Sequence, residues 1–441
     1  MRHAAHIVAI AWLAVLVGCG KSAGTGDAKL RKARAQELVA NLARADYGSA
    51  RTNFNMIMRF GLTEAALKKT WEGLQEQTGK FVKTTWTRET VHSGYNVVFV
   101  GCAFEKTTMK TKVVFAPGDR VTGLFFQPWT REWKAPYYVD ESKFEEREVT
   151  FGDPEWQVEG TLTVPTDSPD APVIMLVHGS GPHDRDQTIG PNKPFKDLAW
   201  GLASKGVAVL RYEKRTKAYQ AKLAQSVVFT TKEETVDDAV LAVQFLSSKG
   251  YSNRVFLAGH SLGGHLAPRI ADATDQLSGV IVLAGNARPL EELIVEQMEY
   301  VAKIRGKDIS EQMEGMRLEV HRIKGLGAND RIRREVILGA PISYWLDLKD
   351  YRPIERAAKL KLPMLFLQGS RDYQVTGKDF ELWQQGMKHR ENVSFQMLEN
   401  LNHLLISGEG KSEPIEYQNS GHVDQSVITA IVSWIEADRG N

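Results

Sequence analysis

The chain has 441 residues, of which 42% are hydrophobic and 25% are charged. This composition is ordinary for a soluble globular protein, and the length exceeds what one small domain needs, so we expect two domains. The 56 basic residues are nearly balanced by 54 acidic ones, and the resulting net charge of +2 gives no electrostatic indication of nucleic-acid binding.

The first residues have the pattern of an export signal. Arg2 precedes an apolar run, Ile7–Val17, that is too short to span a bilayer but is typical of a secretory signal peptide. The run ends in Leu-Val-Gly-Cys at Cys19, which resembles the lipobox of bacterial lipoproteins. The resemblance implies a lipoprotein-type signal at 1–19 and a lipid on Cys19 that anchors the protein to the cell envelope. The small, polar residues that follow predict a flexible tether at 20–29. A plain cleaved signal with an incidental cysteine is the alternative.

Residues 30–134 are expected to form a small α+β domain. Two amphipathic helices, Leu30–Ala45 and one that begins at Thr63, are followed by apolar strands separated by turn residues. We predict these strands at 81–91, 95–104, 109–115 and 121–126. Helices followed by an antiparallel meander resemble small domains of unknown function of the cystatin or nuclear-transport-factor-2 type. No catalytic constellation is evident here, so a binding module for envelope material or substrate is the functional alternative, and Cys102 is interpreted as a buried hydrophobic residue.

Residues 143–441 are expected to form an α/β domain in which strands alternate with helices. The strands are predicted at 144–150, 156–164, 173–177, 207–211, 255–258, 280–284, 364–368 and 393–398. Their near-continuous apolar runs indicate a doubly wound, mostly parallel sheet with helices on both faces. One of the helices, 233–248, follows a Thr231-x-x-Glu234 capping box. Functional residues of such sheets lie at the carboxyl ends of the strands.

Residues 286–356 interrupt this alternation. The stretch is charge-rich, mostly helical in pattern and too long for an ordinary loop. We interpret it as a helical cap over the strand ends, with an insertion packed on the side of the domain as the alternative.

The stretch RVFLAGHSLGGHLA, residues 254–267, contains the pattern G-x-S-x-G around Ser261, between a short strand and a helix. This is the nucleophile elbow. A serine at so tight a turn takes a strained backbone conformation, and the strand and helix approach closely only if the flanking residues lack side chains, as Gly259 and Gly263 do. We therefore predict Ser261 as a nucleophile, with the amide of Leu262 directed at the group that it attacks.

The segment VHGSGP, residues 177–182, leaves the end of another strand with two glycines and so exposes backbone amides. We expect an oxyanion hole here, with one donor at Ser180 and the other at Leu262. Ser180 is also a rival nucleophile, but it lacks the helix that follows Ser261.

A carboxylate follows the seventh predicted strand. Asp372, in QGSRDY, stands just past the strand end and is the predicted acid, because this position lets a carboxylate meet a histidine from the next strand. Asp379 falls in the following helix, and Asp347 and Asp350 belong to the predicted cap.

An imidazole follows the eighth predicted strand. His403, in ENLNHLL, is the predicted base, and His422, beside the terminal helix, is the second candidate. His260 is interpreted as a packing residue of the elbow. The chain order Ser261, Asp372, His403 is that of α/β-hydrolases and not that of chymotrypsin.

Five segments of this region together resemble a bacterial α/β-hydrolase group of esterases, described variously as carboxylesterases, dipeptidyl-aminopeptidase-like or acyltransferase-like proteins. They are HGSGPHDRDQT, GPNKPFKDLAWGLASKGVAVLRYEKRT, AGHSLGGHLAPRIA, LPMLFLQGSRDYQV and ENLNHLL. The resemblance implies that Ser261, Asp372 and His403 form a triad that cleaves short-acyl esters of small molecules. The residues indicate no metal site and no organic cofactor.

Two other functions stay open at this point. A peptidase, thioesterase or acyltransferase would use the same triad, and the residues do not discriminate between them because all pass through an acyl-enzyme. An envelope binding protein with an inert hydrolase domain is the third hypothesis.

Overall fold

The computed structural model describes residues 27–92, 95–129, 133–168, 170–223, 225–226, 228–252 and 254–439. These form two compact units, residues 27–129 with Pro414–Ser420 and residues 133–413 with 421–439. The predicted signal with Cys19, and most of the predicted tether, lie outside the described residues. No helix within the described ranges is long and apolar enough to cross a membrane.

The first unit combines helices with a four-stranded antiparallel sheet. Its elements are α1 (Ala28–Ala43), α2 (Tyr47–Ala50), α3 (Met56–Gly61), α4 (Glu64–Thr78), β1 (Phe81–His92), β2 (Tyr95–Phe104), β3 (Thr108–Ala116) and β4 (Arg120–Pro128). The strands pair in chain order. The predicted sequence of helices and then a meander is confirmed, and α2 and α3 are additional to it.

Trp71 of α4 lies at the centre of the core of this unit. Its ring packs against Phe81, Phe104 and Phe126, with centroid distances of 5.8, 5.6 and 5.5 Å. Cys102 is buried in the same core, and burial raises the pKa of its thiol to about 11. A thiol that stays protonated is a poor nucleophile, which agrees with the interpretation of Cys102 as a hydrophobic residue.

The structure departs from the predicted domain boundaries at Pro414–Ser420. This segment was expected in the second domain, but it groups with the first unit. The Asn419 side-chain amide donates a hydrogen bond to the Lys106 carbonyl at 3.4 Å. The segment is held by a residue more than 300 positions away in the chain, and no local sequence pattern indicates such a contact.

The second unit is built on an eight-stranded sheet. Its strands are β5 (Phe144–Phe151), β6 (Val158–Pro165), β7 (Val173–Val177), β8 (Ala208–Tyr212), β9 (Val255–His260), β10 (Gly279–Leu283), β13 (Met364–Gly369) and β14 (Val393–Leu398). They lie in the order β14-β13-β10-β9-β7-β8-β6-β5. All pairs are parallel except those of β6 with β8 and β5. The predicted mostly parallel sheet is confirmed.

Helices cover both faces of this sheet. In β7, Val173, Met175 and Val177 belong to one apolar cluster, whereas Ile174 and Leu176 belong to another. The flanking helices are α5 (Pro194–Ala203), α6 (Arg215–Ala218), α7 (Gln220–Leu223), α8 (Asp237–Leu246), α9 (Leu262–Asp272), α14 (Gly377–Met387) and α15 (Gln425–Arg439). Because both faces of the sheet are buried, side chains on both sides of β7 are apolar and the strand is a continuous apolar run.

The insertion between β10 and β13 is mostly helical. It contains α10 (Leu290–Ile304), α11 (Ser310–Gly325), β11 (Val336–Ile337), β12 (Ala340–Pro341), α12 (Ile342–Lys349) and α13 (Pro353–Lys359). The Tyr300 ring of α10 stacks on Tyr373 at 5.0 Å, and the Gln297 amide donates to the Gln374 carbonyl at 2.9 Å. Helix α10 therefore contacts the loop that leaves the carboxyl end of β13.

The predicted Thr231-x-x-Glu234 capping box is wrong by one residue. Thr231 provides no cap, and its hydroxyl instead donates to Asp347. The Glu233 carboxylate accepts from the Thr230 amide at 2.9 Å, and the Thr230 hydroxyl accepts from the Lys232 amide at 3.1 Å. A π-helical turn over Lys232–Val236 precedes α8, so the periodicity of the sequence does not locate the cap.

Candidate active site

The turn between β9 and α9 consists of Ser261 alone. Its φ is 54° and its ψ is −118°, a conformation that residues with a Cβ rarely adopt. The Ser261 amide donates to the Leu283 carbonyl at 2.9 Å, and its carbonyl accepts from the His265 amide at 2.9 Å. The neighbouring strand and the first turn of α9 thus hold Ser261 in the strained position that the sequence pattern predicts.

Glycines on both sides of Ser261 make this turn possible. A Cβ at Gly259 would lie 2.3 Å from the Gly263 carbonyl oxygen, and one at Gly263 would lie 2.4 Å from the Val177 carbonyl oxygen. These contacts are with backbone, which cannot rotate away. A Cβ at Gly179 would approach the Ser261 Cβ to 3.1 Å, so the segment that follows β7 lies directly beside Ser261.

The predicted acid and base lie together in the structure. Nδ1 of His403 is 2.7 Å from Oδ2 of Asp372, and both side chains are buried. The other carboxylate oxygen, Oδ1, accepts from the amides of Gln374 and Val375 at 2.8 and 3.0 Å, and Gln368 donates to Oδ2 at 3.1 Å. Asp372 is therefore fixed as an acceptor that holds the Nδ1 proton of His403.

His260 connects the elbow to the predicted base. The Gly179 amide donates to Oε1 of Gln187 at 3.0 Å, which leaves the Gln187 NH₂ group to donate to Nδ1 of His260 at 2.9 Å. Nε2 of His260 consequently carries the proton and donates to the His403 carbonyl at 2.8 Å. This chain of bonds holds His403 next to His260, which immediately precedes Ser261 in the chain. The ring centroids of His260 and His403 are 4.7 Å apart. The sequence predicts only a packing role for His260 and indicates no role for Gln187.

The structure brings the predicted nucleophile and base to the same edge of the sheet without joining them. Ser261 is half-buried, and no hydrogen bond links its hydroxyl to His403 within the described residues. In enzymes without substrate such catalytic hydrogen bonds are often long and shorten in the substrate complex.

The predicted oxyanion donors lie on two adjacent segments. Leu262 is the first residue of α9, where amides have no partner within the helix. On the segment after β7, the Gly179 amide is occupied by Gln187, so that the Ser180 amide is the next one available in the chain. The Ser180 side chain itself is exposed, and its carbonyl accepts from His183 at 2.8 Å.

The rival acids and the second candidate base are engaged elsewhere. Asp379 pairs with Arg288 at 2.6 Å, and Asp347 pairs with Arg269 at 2.8 Å. Nδ1 of His422 lies 3.2 Å from Asp197 of α5. Asp350 is exposed. Within the described ranges, no group of three or more His, Cys, Asp or Glu side chains is placed to hold a metal.

Buried neutral histidines predict an acid-sensitive fold. Burial lowers the pKa of His260 to about 3 and that of His265 to about 4, against about 6.5 in an unfolded chain. Between these values the unfolded chain binds protons that the folded chain excludes, so the free energy of unfolding falls as the pH drops below about 6.5.

We expect His260 to contribute a slope of up to about 1.4 kcal/mol per pH unit in this range. Urea unfolding of the wild type and His260→Gln between pH 7 and pH 5 measures it, and the variant should show the shallower dependence. His389→Gln, at an exposed position, is the control. Equal slopes for all three proteins would refute the assignment.

Comparisons with known proteins agree with this architecture. The family model described as "Serine aminopeptidase, S33" matches residues 168–410, and one described as a protein of unknown function (DUF3887) matches residues 35–124. Esterase EstD of Thermotoga maritima is 37% identical over 404 residues, which cover 90% of this chain and 93% of that protein.

Among solved structures, Est1E from Butyrivibrio proteoclasticus is 15% identical, with a TM-score of 0.45 over 67% of this chain and 99% of its own. The Pyrococcus furiosus esterase Pf2001 is also 15% identical, with a TM-score of 0.43 over 70% of this chain and 97% of its own. The family match over more than half of the chain and the identity to EstD settle the relationship. The chain belongs to the α/β-hydrolase family of serine hydrolases, in the group that includes esterase EstD, and carries an N-terminal domain of unknown function.

Proposed function

We propose that this serine hydrolase is a carboxylesterase that cleaves short-acyl esters of small molecules through an acyl-enzyme. One observation carries the proposal: the strained Ser261 lies beside Gly179, at the sheet edge where the hydrogen-bonded pair of Asp372 and His403 also lies. This arrangement supplies a nucleophile, a base and two segments of backbone amides at one place.

In the proposed acylation step, Ser261 Oγ attacks the ester carbonyl carbon while Nε2 of His403 accepts the hydroxyl proton. Asp372 accepts the Nδ1 hydrogen bond and stabilises the imidazolium that forms. The carbonyl oxygen becomes an oxyanion, which the amides of Leu262 and Ser180 stabilise. His403 then gives its proton to the departing alcohol, and the acyl group stays on Ser261.

Deacylation repeats these steps with water. His403 removes a proton from the water, the resulting hydroxide attacks the acyl carbon, and the same amides receive the oxyanion. The imidazolium returns its proton to Ser261 Oγ as the acid leaves, so that the free enzyme is regenerated.

The bond that is cleaved separates this proposal from its main alternative. The identity to a protein named esterase supports ester hydrolysis, whereas the description of the family model as a serine aminopeptidase favours an amide bond. Thioesterase and acyltransferase activity would use the same residues.

A substrate series distinguishes these activities. We expect kcat/KM to be highest for p-nitrophenyl acetate and butyrate and to fall for longer acyl chains, for aminoacyl p-nitroanilides and for acyl thioesters. Ser261→Ala, assayed on each substrate, corrects for background. Preference for an anilide or a thioester would overturn the carboxylesterase proposal, and absence of fluorophosphonate labelling would favour an inert binding protein.

We also propose that the protein is an exported lipoprotein anchored through Cys19. The resemblance of the Leu-Val-Gly-Cys sequence to a lipobox supports it, and Gly20 after the cysteine favours the outer membrane where two membranes are present.

Lipidation can be tested with the two cysteines of the chain. Incorporation of labelled palmitate is expected in the wild type and in Cys102→Ala and is expected to be lost in Cys19→Ala, because only Cys19 follows the lipobox. Cys19→Ala should also leave the membrane fraction. Equal labelling of all three proteins, or of none, would contradict the proposal.

A further inference from the structure

Lys214 is a buried lysine next to the predicted oxyanion segment. It follows β8, and its side chain is 2% exposed. Its Nζ donates to the Gly179 carbonyl at 2.7 Å and lies 2.8 Å from Oε1 of Glu234. Its backbone amide donates to the His183 carbonyl at 3.1 Å. Burial of an ammonium group is unfavourable unless it is paired, and here two oxygens pair it.

The bond to Gly179 determines where the Ser180 amide points. The carbonyl of Gly179 and the N–H of Ser180 belong to one planar trans peptide, in which they point in opposite directions. Fixing the carbonyl oxygen on Lys214 therefore fixes the N–H on the other side. A cation on the oxygen also polarises the peptide and makes its N–H a stronger donor.

Without such an anchor, this peptide would have unusual freedom to rotate. The orientation of this peptide depends on ψ of Gly179, which is less restricted than in other residues because glycine has no side chain. The Gln187 bond to the Gly179 amide and the His183 bond to the Ser180 carbonyl hold the preceding and the following peptides, but neither bonds to the Gly179–Ser180 peptide itself. Lys214 supplies the missing constraint.

Glu234 links Lys214 to the insertion. Oε2 of Glu234 accepts from the Tyr344 hydroxyl at 2.7 Å, and both residues are buried. Tyr344 belongs to α12, which is itself fixed by the ion pair of Asp347 with Arg269. A continuous path of buried hydrogen bonds therefore runs from α12 to the oxyanion segment.

We propose that Lys214 is a positioning residue for the oxyanion hole, held by Glu234 and, through it, by Tyr344 of the insertion. Lys214 does not touch the reacting atoms in this proposal and acts through the Ser180 amide. The inference rests on the proposed serine hydrolase function. In this proposal the insertion supports transition-state stabilisation through the bond between Tyr344 and Glu234.

The main test compares Lys214→Met with Arg215→Met. Arg215 is the next residue and is paired in a second buried ion pair with Asp238, so its replacement also removes a buried cation but leaves the Gly179 carbonyl bound. For Lys214→Met we expect kcat with p-nitrophenyl butyrate to fall about 10- to 100-fold, because one donor of the hole is misdirected, while KM changes by less than about threefold. Arg215→Met should keep its kcat within about threefold.

Inhibition by an alkyl trifluoromethyl ketone separates positioning from general damage. Ser261 adds to this ketone to give a tetrahedral oxyanion, so its Ki should rise by the same factor by which kcat falls in Lys214→Met. A mere loss of packing would not make the two factors equal. Unchanged kcat and Ki in folded Lys214→Met, or equal losses in Arg215→Met, would overturn the inference.

A double-mutant cycle tests the contribution of Tyr344. Tyr344→Phe should lower kcat about 3- to 10-fold in the wild type and have no further effect in the Lys214→Met background, because the path is already broken there. Independent effects would overturn the role of the insertion. If Lys214→Met does not fold, Lys214→Met with Glu234→Met removes both buried charges, and the same loss is expected. An inactive wild type that fluorophosphonate does not label would instead refute the proposed function.

Discussion

Replacing Ser261 with alanine is expected to lower the turnover of p-nitrophenyl butyrate by about 10⁴- to 10⁶-fold. The change removes only the hydroxyl. Alanine keeps the Cβ that already tolerates the φ of 54°, so the elbow and the fold should be unaffected. Circular dichroism and thermal unfolding of the purified variant check that the loss is chemical.

Ser180→Ala is the matched comparison for this variant. Ser180 is the rival nucleophile on the adjacent segment, and alanine retains the backbone amide that is its proposed contribution. We expect most of the activity to remain. If Ser261→Ala kept the activity of the parent, or if Ser180→Ala lost activity while Ser261→Ala did not, Ser261 would not be the nucleophile.

Replacing Asp372 with asparagine is expected to lower kcat by about 10⁴-fold near neutral pH. Asparagine can donate a hydrogen bond to Nδ1 of His403 and so favours the tautomer with the proton on Nε2, which cannot accept the proton of Ser261. The amides of Gln374 and Val375 can still bond to the asparagine oxygen, so the loop should keep its position.

Asp379→Asn controls for the loss of a buried carboxylate. Asp379 is as deeply buried, but it pairs with Arg288 and not with a histidine. We expect this variant to lose stability and to keep its kcat. A kcat for Asp372→Asn within about tenfold of the parent, together with an inactive but folded Asp379→Asn, would place the acid of the triad elsewhere.

Local sequence predicts the sheet and the elbow because both are local in their physical causes. The central strands β7, β9, β10 and β13 are short, buried and mostly apolar runs, and each of the eight strands begins within two residues of its predicted start. The strain at Ser261 requires small flanking residues whatever the rest of the chain does, so Gly259 and Gly263 are visible in the pattern itself.

The polar network around the site is not predictable in this way. Gln187, Lys214 and Glu234 come from three separate segments, and their roles arise only when the fold buries them together. Buried polar groups need hydrogen-bond partners, so burial makes these bonds necessary. The sequence does not show which residues will be buried, and these three appear in it only as polar residues in loops or at the start of a helix. Gln187 and Lys214 lie in segments that carry the family resemblance, and that resemblance is the one sequence signal that points towards them.

The capping box shows the same limit on a smaller scale. Thr230-x-x-Glu233 and Thr231-x-x-Glu234 fit the motif equally well, and the choice depends on distant partners. Thr231 bonds to Asp347, and Glu234 bonds to Lys214 and Tyr344. Thr230 and Glu233 are therefore the pair that caps the helix.

In the proposed mechanism Ser261 is the nucleophile and carries the acyl group. Fluorophosphonate labelling of the wild type, followed by peptide mass mapping, identifies the nucleophile. We expect a single adduct on the peptide that contains Ser261, abolished in Ser261→Ala. An adduct on the peptide that contains Ser180, or no adduct on a folded and catalytically active protein, would show that Ser261 is not the nucleophile.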